Sequence, residues 1–567
     1  MKFLSFIFLV CTCYSFSQEI NKENLTPKIR NYYDFKKTQL ESVGSNYKDL
    51  LGETSDKHGK WLYYDKGGVQ IEERNYYRGK LNGRVFAQYS NGKNKQEGYF
   101  KMDIQDSVYR EWSETGVLLI EGYYKNGRPF GIWKYNYLSG SPKMVEEYLD
   151  TTKYLREFWM PDSTQTIQNG NGEYIVYYNL GTIKEWYNYK DGLKNGPFEE
   201  FSIYGHKLIS GAFKNGLNDS TWNYYYYTGP IEKIRTYENG VLQGDYSYYF
   251  DNGQLNVKGQ YTNGHKSGKW YWYTNKGGLD QEGSFNLGKQ DGHWKYYYPT
   301  GELSYEAEYD NGLKTGTWQY FDKDGGLFKK GTYKNDLKEG LWQTWYENGN
   351  LVMEGSYKAG KEEGVWKNFW ENGLVKNVST FKNGKLNGTW FSYYPTGANK
   401  LSGKYKSGNK VGEWITYFEN GKMMESVTYK IITKKNTAIN YGPLKDFKTQ
   451  ESIMNGHFVS YSQKDYKKTQ EGNYKMGEKE GVWYTYWPGG KIPSNTTSYK
   501  LGKLDGKSTE MDRRGDVISE TEYKDGLKHG SMKLYDKRGK VLKELHFEFG
   551  QQVNKASGGS NVQFNPR

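Results

Sequence analysis

The sequence predicts an all-β fold: an elongated single-layer antiparallel sheet of about 19 stacked β-hairpin repeats of 24 residues. Three observations lead there. Glycine recurs every 24 residues, at Gly172, Gly196, Gly244, Gly268, Gly292, Gly316, Gly340, Gly364, Gly388 and Gly412, with Ser220 filling the one gap. Aromatic residues hold fixed phases within that period. A short turn signal, often Asn-Gly, splits each unit into two runs rich in aromatic and β-branched residues. A fixed period of this length marks an array of one supersecondary unit rather than a set of unlike domains.

The array extends both ways. Gly59, Gly83, Ser107 and Gly131 precede it, and Gly456, Gly481, Gly506 and Gly530 follow at spacings of 24 or 25. With the leading glycine as position 0, position 17 is Tyr or Phe in every unit, allowing for one-residue insertions, as at Tyr309, Tyr333, Tyr357, Phe381 and Tyr405. Position 2 is aromatic in 16 of 19 units and position 9 is Gly in 18 of 19, so both belong to the architecture and not to a local site.

Asn-Gly between such runs is a strong hairpin signal, because a type I′ turn needs positive φ at both central residues. Placing that turn at Asn348-Gly349 sets Trp342 opposite Gly355 and Gly340 opposite Tyr357. The link from Lys358 to Glu363 then reads as a six-residue loop that returns Tyr357 to Gly364 and Gly355 to Trp366. Each ring faces glycine on both neighbouring strands, and a ring over a cross-strand glycine recovers packing that glycine alone forfeits. Strands about 4.8 Å apart repeat equivalent rings about every 9.6 Å. On this register the aliphatic column of Leu279, Leu303, Leu327 and Leu351 shares the Trp face, and Tyr297, Phe321, Trp345, Phe369 and Tyr393 point to the other.

This pattern resembles MORN repeats in the bacterial variant form, whose units read like "NGKxxGxWxxYxxNG"; the resemblance covers residues 59 to about 550. It implies an elongated sheet of stacked hairpins serving protein–protein assembly and, in some members, work at membranes. Bacterial relatives include proteins labelled as antitoxin components of toxin–antitoxin modules.

The expected organisation is a signal peptide over 1–17, an N-terminal cap and partial repeat over 18–58, and repeats over 59–148, 172–429 and 456–550, the last degenerate. Insertions fill 149–171 and 430–455, and 551–567 reads as a disordered tail. The leader has Lys2, the apolar run Phe3–Val10, and Ser15 and Ser17 at cleavage spacing. Its ending, "SFSQ", looks like leaders of exported proteins of Bacteroidetes-like Gram-negative bacteria. The expected location is therefore the periplasm, the outer membrane surface or the outside of the cell. Both cysteines, Cys11 and Cys13, lie in the leader, which leaves the processed chain without disulfide, thiolate or Cys-based metal chemistry. No later run approaches the length of a membrane helix.

No catalytic, metal-binding or cofactor-binding residue emerges. The seven histidines occupy different phases, the "DKDGG" of 322–326 fills an ordinary turn slot, and the glycines keep a structural period instead of a phosphate-loop spacing. Nucleic acid is not expected as a partner of an exported chain. The site-like feature is a row of lysines on one long edge: Lys358, Lys361, Lys382, Lys385, Lys406 and Lys410. The formal charge of +13, or +12 without Lys2, fits a mild preference for anionic partners. The functional expectation is an exported, non-enzymatic scaffold for a protein partner. Its alternatives are an anionic-lipid or glycan surface binder and a toxin-neutralising immunity protein.

Overall fold

The computed structural model describes residues 22–437 and 446–553. The expected leader, the middle of the second insertion and the tail from 554 onward lie outside the described residues. The chain divides between Lys266 and Ser267 into two compact units. Each is an open, single-layer antiparallel sheet in which strands pair with their sequence neighbours. The described residues hold 43 strands and one short 3-10 turn. Nineteen hairpins supply 38 of those strands. The cap adds Ile29–Tyr32 and Leu40–Asp49, the first insertion adds Thr152–Trp159 and Gln165–Gln168, and Gln551–Val553 ends the second unit.

The hairpin Leu337–Trp345 and Leu351–Lys358 carries the logic of both units. Trp342 pairs with Gly355 and Gly340 with Tyr357. Near the Asn348-Gly349 turn the register slips, so that Trp345 pairs with Leu351. The Gly349 N–H donates to the Tyr346 carbonyl at 2.9 Å, and the Tyr346 N–H to the Asn350 carbonyl at 2.8 Å. Gly349 has φ +82° while Asn348 stays at ordinary φ. This is a type I turn closed by a glycine bulge, and not the expected type I′ turn. The slip also corrects a face. Leu351, Leu327 and Leu303 sit opposite Trp345, Phe321 and Tyr297, so the aliphatic column lies on the face away from the position-2 tryptophans.

The type I′ turn is at the other end. Lys358 pairs with Lys361, leaving only Ala359-Gly360 between them at φ +48° and +77°. The expected six-residue loop is thus two residues long. Beyond it Tyr357 pairs with Glu362, not with Gly364. Between the pairs Ser356–Glu363 and Glu354–Lys367, the single residue Gly355 faces Gly364, Val365 and Trp366. The indole of Trp366 fills that bulge, and a Cβ built on Gly355 would clash with its ring. The indole N–H donates to the Ser356 carbonyl at 3.2 Å, satisfying a backbone acceptor where the ladder is interrupted. The same glycine–indole pair recurs at Gly331–Trp342, Gly283–Trp294, Gly403–Trp414 and Gly472–Trp483, and in the first unit at Gly122–Trp133 and Gly211–Trp222.

The rings form the core without a second layer. Trp342 is 1% exposed, held edge-to-face by Tyr333 at 5.1 Å and Tyr357 at 6.0 Å. Tyr357 meets Trp366 at 5.0 Å and 90°. A buried ring of about 200 Å² is worth about 5 kcal/mol of transfer free energy. Each hairpin therefore closes its ring only against its neighbours.

Both insertions contribute ladder strands. In the first, Leu155, Phe158 and Ile167 form a buried cluster of their own. In the second, Met423–Thr437 and Asp446–Tyr461 are 15 and 16 residues long and run past the neighbouring turns as a two-stranded arm.

Candidate interaction surface

The type I′ edge is built by side chains that reach forward. In most of these turns the first N–H is capped from the preceding hairpin. Glu339 accepts from Ala359 N–H and Glu363 from Asn383 N–H, each at 2.8 Å, and Asn387 accepts from Ser407 N–H at 3.1 Å. In the first unit Asp106 and Gln243 cap Asn126 and Asn263, and His58 Nδ1 takes the same role for Arg78 at 3.1 Å. The glycine N–H that follows donates to a backbone carbonyl of the preceding hairpin, Gly360 to Lys338 at 2.9 Å and Gly384 to Glu362 at 2.9 Å. On the opposite edge Tyr346 Oη donates to the Phe369 carbonyl at 3.1 Å, and Tyr394 Oη to the Tyr417 carbonyl at 2.9 Å. Neither column had been singled out from sequence. The signal was a steady run of short acceptors before each leading glycine and of Tyr or Trp after the aromatic pair.

Of the lysines expected to form a basic edge, Lys358, Lys361, Lys382, Lys385 and Lys406 are exposed at strand ends. Lys358 stands opposite Lys361 and Lys382 opposite Lys385, like charges facing one another. Lys410 does not join them. It is half-buried, its ammonium 4.4 Å from the Trp414 ring centre and 5.2 Å from Tyr429. It belongs to a second lysine column that lies over the ring core, with Lys314 and Lys338 and, in the first unit, Lys57 and Lys194. Burial lowers the ammonium pKa of Lys194. The ring side is thereby sealed by cation–π contacts.

The other face is open. Trp345–Leu351, Phe321–Leu327 and Phe369–Val375 pairs run along it as a half-buried apolar stripe, to which most strands of the second unit contribute a ring or an aliphatic. Leu341 and Val365, 51% and 55% exposed, stand beside it. A charge ladder borders the stripe. Glu306 lies 3.5 Å from both His293 and Lys295, and Glu354 lies 3.1 Å from Lys367. Tyr297 Oη donates to Glu282 at 2.8 Å, and burial together with that carboxylate pushes its phenol up to about 12. A shallow depression of about 270 Å³ opens among Lys269, Tyr271, Glu282, Ser284, His293 and Lys295. Among the described residues no group of three or more His, Asp or Glu is placed to hold a metal ion. Asp322 spends its Oδ1 on the N–H groups of Asp324 and Gly326 in its own turn.

These features define a class: an array of stacked hairpins that offers open sheet surfaces. Eight stretches match the family model described as the MORN repeat variant, at 105–126, 242–263, 290–311, 314–335, 338–359, 362–383, 410–430 and 528–548. The chain is thus a repeat protein carrying MORN-variant repeats, each matched stretch spanning one hairpin. No curated protein matches. Among solved structures, chains in the crystal structures titled TcdB2-TccC3-Cdc42 and TcdB2-TccC3 are similar at 13% identity over 88% and 92% of this chain, with TM-scores of 0.13. This chain spans 30% and 31% of theirs.

Proposed function

We propose that this chain is an exported, non-enzymatic scaffold that binds a protein partner in the bacterial cell envelope or at its surface. The observation that supports the reading is the open face, where an apolar stripe with a charged border continues from hairpin to hairpin. Exposed apolar patches rimmed by polar residues mark interaction sites. Export rests on the leader. No described helix is long and apolar enough to cross a membrane. A photo-crosslinking residue placed at Val365 in the native cell is expected to capture a defined envelope protein. Capture no stronger than from the edge position Lys361 would refute the use of this face.

A second reading has its own support. The facing pairs Lys358–Lys361 and Lys382–Lys385 form no ion pair among the described residues, and unbalanced cations invite an anionic lipid or glycan surface. Each lysine near an anionic membrane contributes about 1 kcal/mol. Binding to phosphatidylserine vesicles at low salt, lost when Lys358, Lys361, Lys382, Lys385 and Lys406 become Gln, is the outcome this reading expects. Vesicle binding unchanged in that variant would remove it.

A further inference from the structure

The arm formed by Met423–Thr437 and Asp446–Tyr461 is longer than the strands of its neighbouring hairpins. Elsewhere the hairpins turn directly after the residue equivalent to Lys430, as they do at Lys406 and Lys358. Here the ladder continues from Lys430–Ile453 to Thr437–Asp446. Beyond Tyr429 the first strand has no ladder partner on its outer side among the described residues, because the preceding strand pairs only as far as Gly412–Tyr429. Its backbone from Ile431 onward is an open sheet edge extending about 20 Å. Proteins usually shorten or cover such edges, and an isolated two-stranded ribbon is only marginally stable.

The charge of the arm is unbalanced. Residues 430–437 and 446–453 carry Lys430, Lys434, Lys435 and Lys448 against Asp446 and Glu451. Glu451 is already taken by an ion pair with Lys434. Lys435 stands directly opposite Lys448, both exposed. Like charges directly opposed across a ladder destabilise it, and among the described side chains no carboxylate forms an ion pair with either lysine. The exposed Lys406 lies at the root of the open edge, on the neighbouring hairpin.

We propose that the Ile431–Lys435 edge is a docking site for an extended acidic segment of a partner protein, which adds as a further antiparallel strand. The proposal rests on the scaffold reading and names the kind of partner. The added strand supplies backbone hydrogen bonds to the open edge, and its alternate side chains give specificity. A carboxylate beside Lys435 neutralises the Lys435–Lys448 repulsion. The β-branched Ile431, Ile432 and Thr433 hold the edge extended to receive it.

The test uses the full chain and a fluorescein-labelled peptide of about ten residues alternating Glu and Thr, long enough to span the edge. Controls are the Gln–Thr peptide and the Glu–Thr peptide with a central proline, which cannot complete a ladder. Fluorescence anisotropy is expected to show the acidic peptide binding about tenfold more tightly than either control, with affinity falling as salt screens the lysines. Replacing 431–452 by Asn-Gly keeps the Lys430–Ile453 pair, closes the hairpin as its neighbours close and is expected to abolish binding. Lys434→Gln with Lys435→Gln, which leaves the arm in place, is expected to weaken it about tenfold. Equal binding by the armless chain, or by the proline peptide, overturns the proposal. Capture of the same envelope partners by intact and armless chains also overturns it and leaves the scaffold reading standing. If neither chain captures a partner while peptide binding persists, the scaffold reading fails and the edge specificity stands.

Discussion

Gly355→Val tests whether glycine and indole form one structural unit. By strand preference alone the change is favourable, since valine suits a strand and glycine weakens one by about 0.5–1 kcal/mol. Gly355 has no positive φ to protect. The structure reverses the sign, because a Cβ at Gly355 clashes with the ring of Trp366. Displacing that ring sacrifices most of its burial and its hydrogen bond to the Ser356 carbonyl. The expected loss approaches the 3–5 kcal/mol of deleting a large buried ring, offset by under 1 kcal/mol of propensity. The chain contains its own compensated version. Val427 occupies the glycine position, the next ring is Phe458, and the two pair directly and pack in one cluster with Trp483. Copying it, Gly355→Val with Trp366→Phe should cost about 2 kcal/mol less than the sum of the single changes, a coupling typical of residues in contact. Because repeat arrays can lose two-state behaviour, the readout is hydrogen exchange of the amides in 337–382 alongside denaturant melts. Additive losses would show that the glycine is kept for some reason other than the ring above it.

Three further outcomes are expected. Tyr346→Phe removes the phenol that donates to the Phe369 carbonyl and should cost about 0.5–1.5 kcal/mol in thermal melts; no change would mean water serves that carbonyl equally well. Lys358→Glu converts a like-charge facing pair into an opposite one and should stabilise by about 0.2–0.5 kcal/mol at low salt, vanishing at high salt, whereas a loss would place Lys358 in an unseen attractive contact. The Glu480 carboxyl is held below its ordinary 4.5 chiefly by the Leu501 N–H it accepts. Its cap is in place above that ordinary value and is lost as pH falls through the lower folded one, so Leu501 amide exchange should accelerate there on acidification. Glu480→Gln should flatten that pH dependence, and an unchanged profile would exclude the cap as its source.

The periodic columns made the hairpin array and the Trp342–Gly355 and Gly340–Tyr357 pairs legible in sequence, because period and phase are read directly from spacing. The bulges were not legible. Asn-Gly stands at both kinds of turn, at Asn348-Gly349 within one hairpin and at Asn383-Gly384 after the next, yet only the second is a type I′ turn. The dipeptide is compatible with both geometries, and the number of unpaired residues decides between them. That one-residue difference carried Leu351 to the opposite face and hid the apolar stripe on the open side. The basic edge was visible as composition, but the fate of Lys410 depended on which strand end folds over Trp414. The arm was visible only as excess length, since the backbone pairing that defines its free edge leaves no pattern in the side chains.

The reach of the bonds that tie one hairpin to the next sets how the array comes into being. Indole to carbonyl spans 10 residues, cap to turn 20, and tyrosine to carbonyl 23. None needs a distant part of the chain, so the search that slows most sheet proteins is absent at any length. A polypeptide emerging end first from a ribosome or a narrow pore completes each rung as soon as the next two dozen residues appear. At every moment only the newest rung is exposed. An error is confined to one rung and its neighbours, which lets such a chain lengthen or shorten by whole units without redesigning the rest.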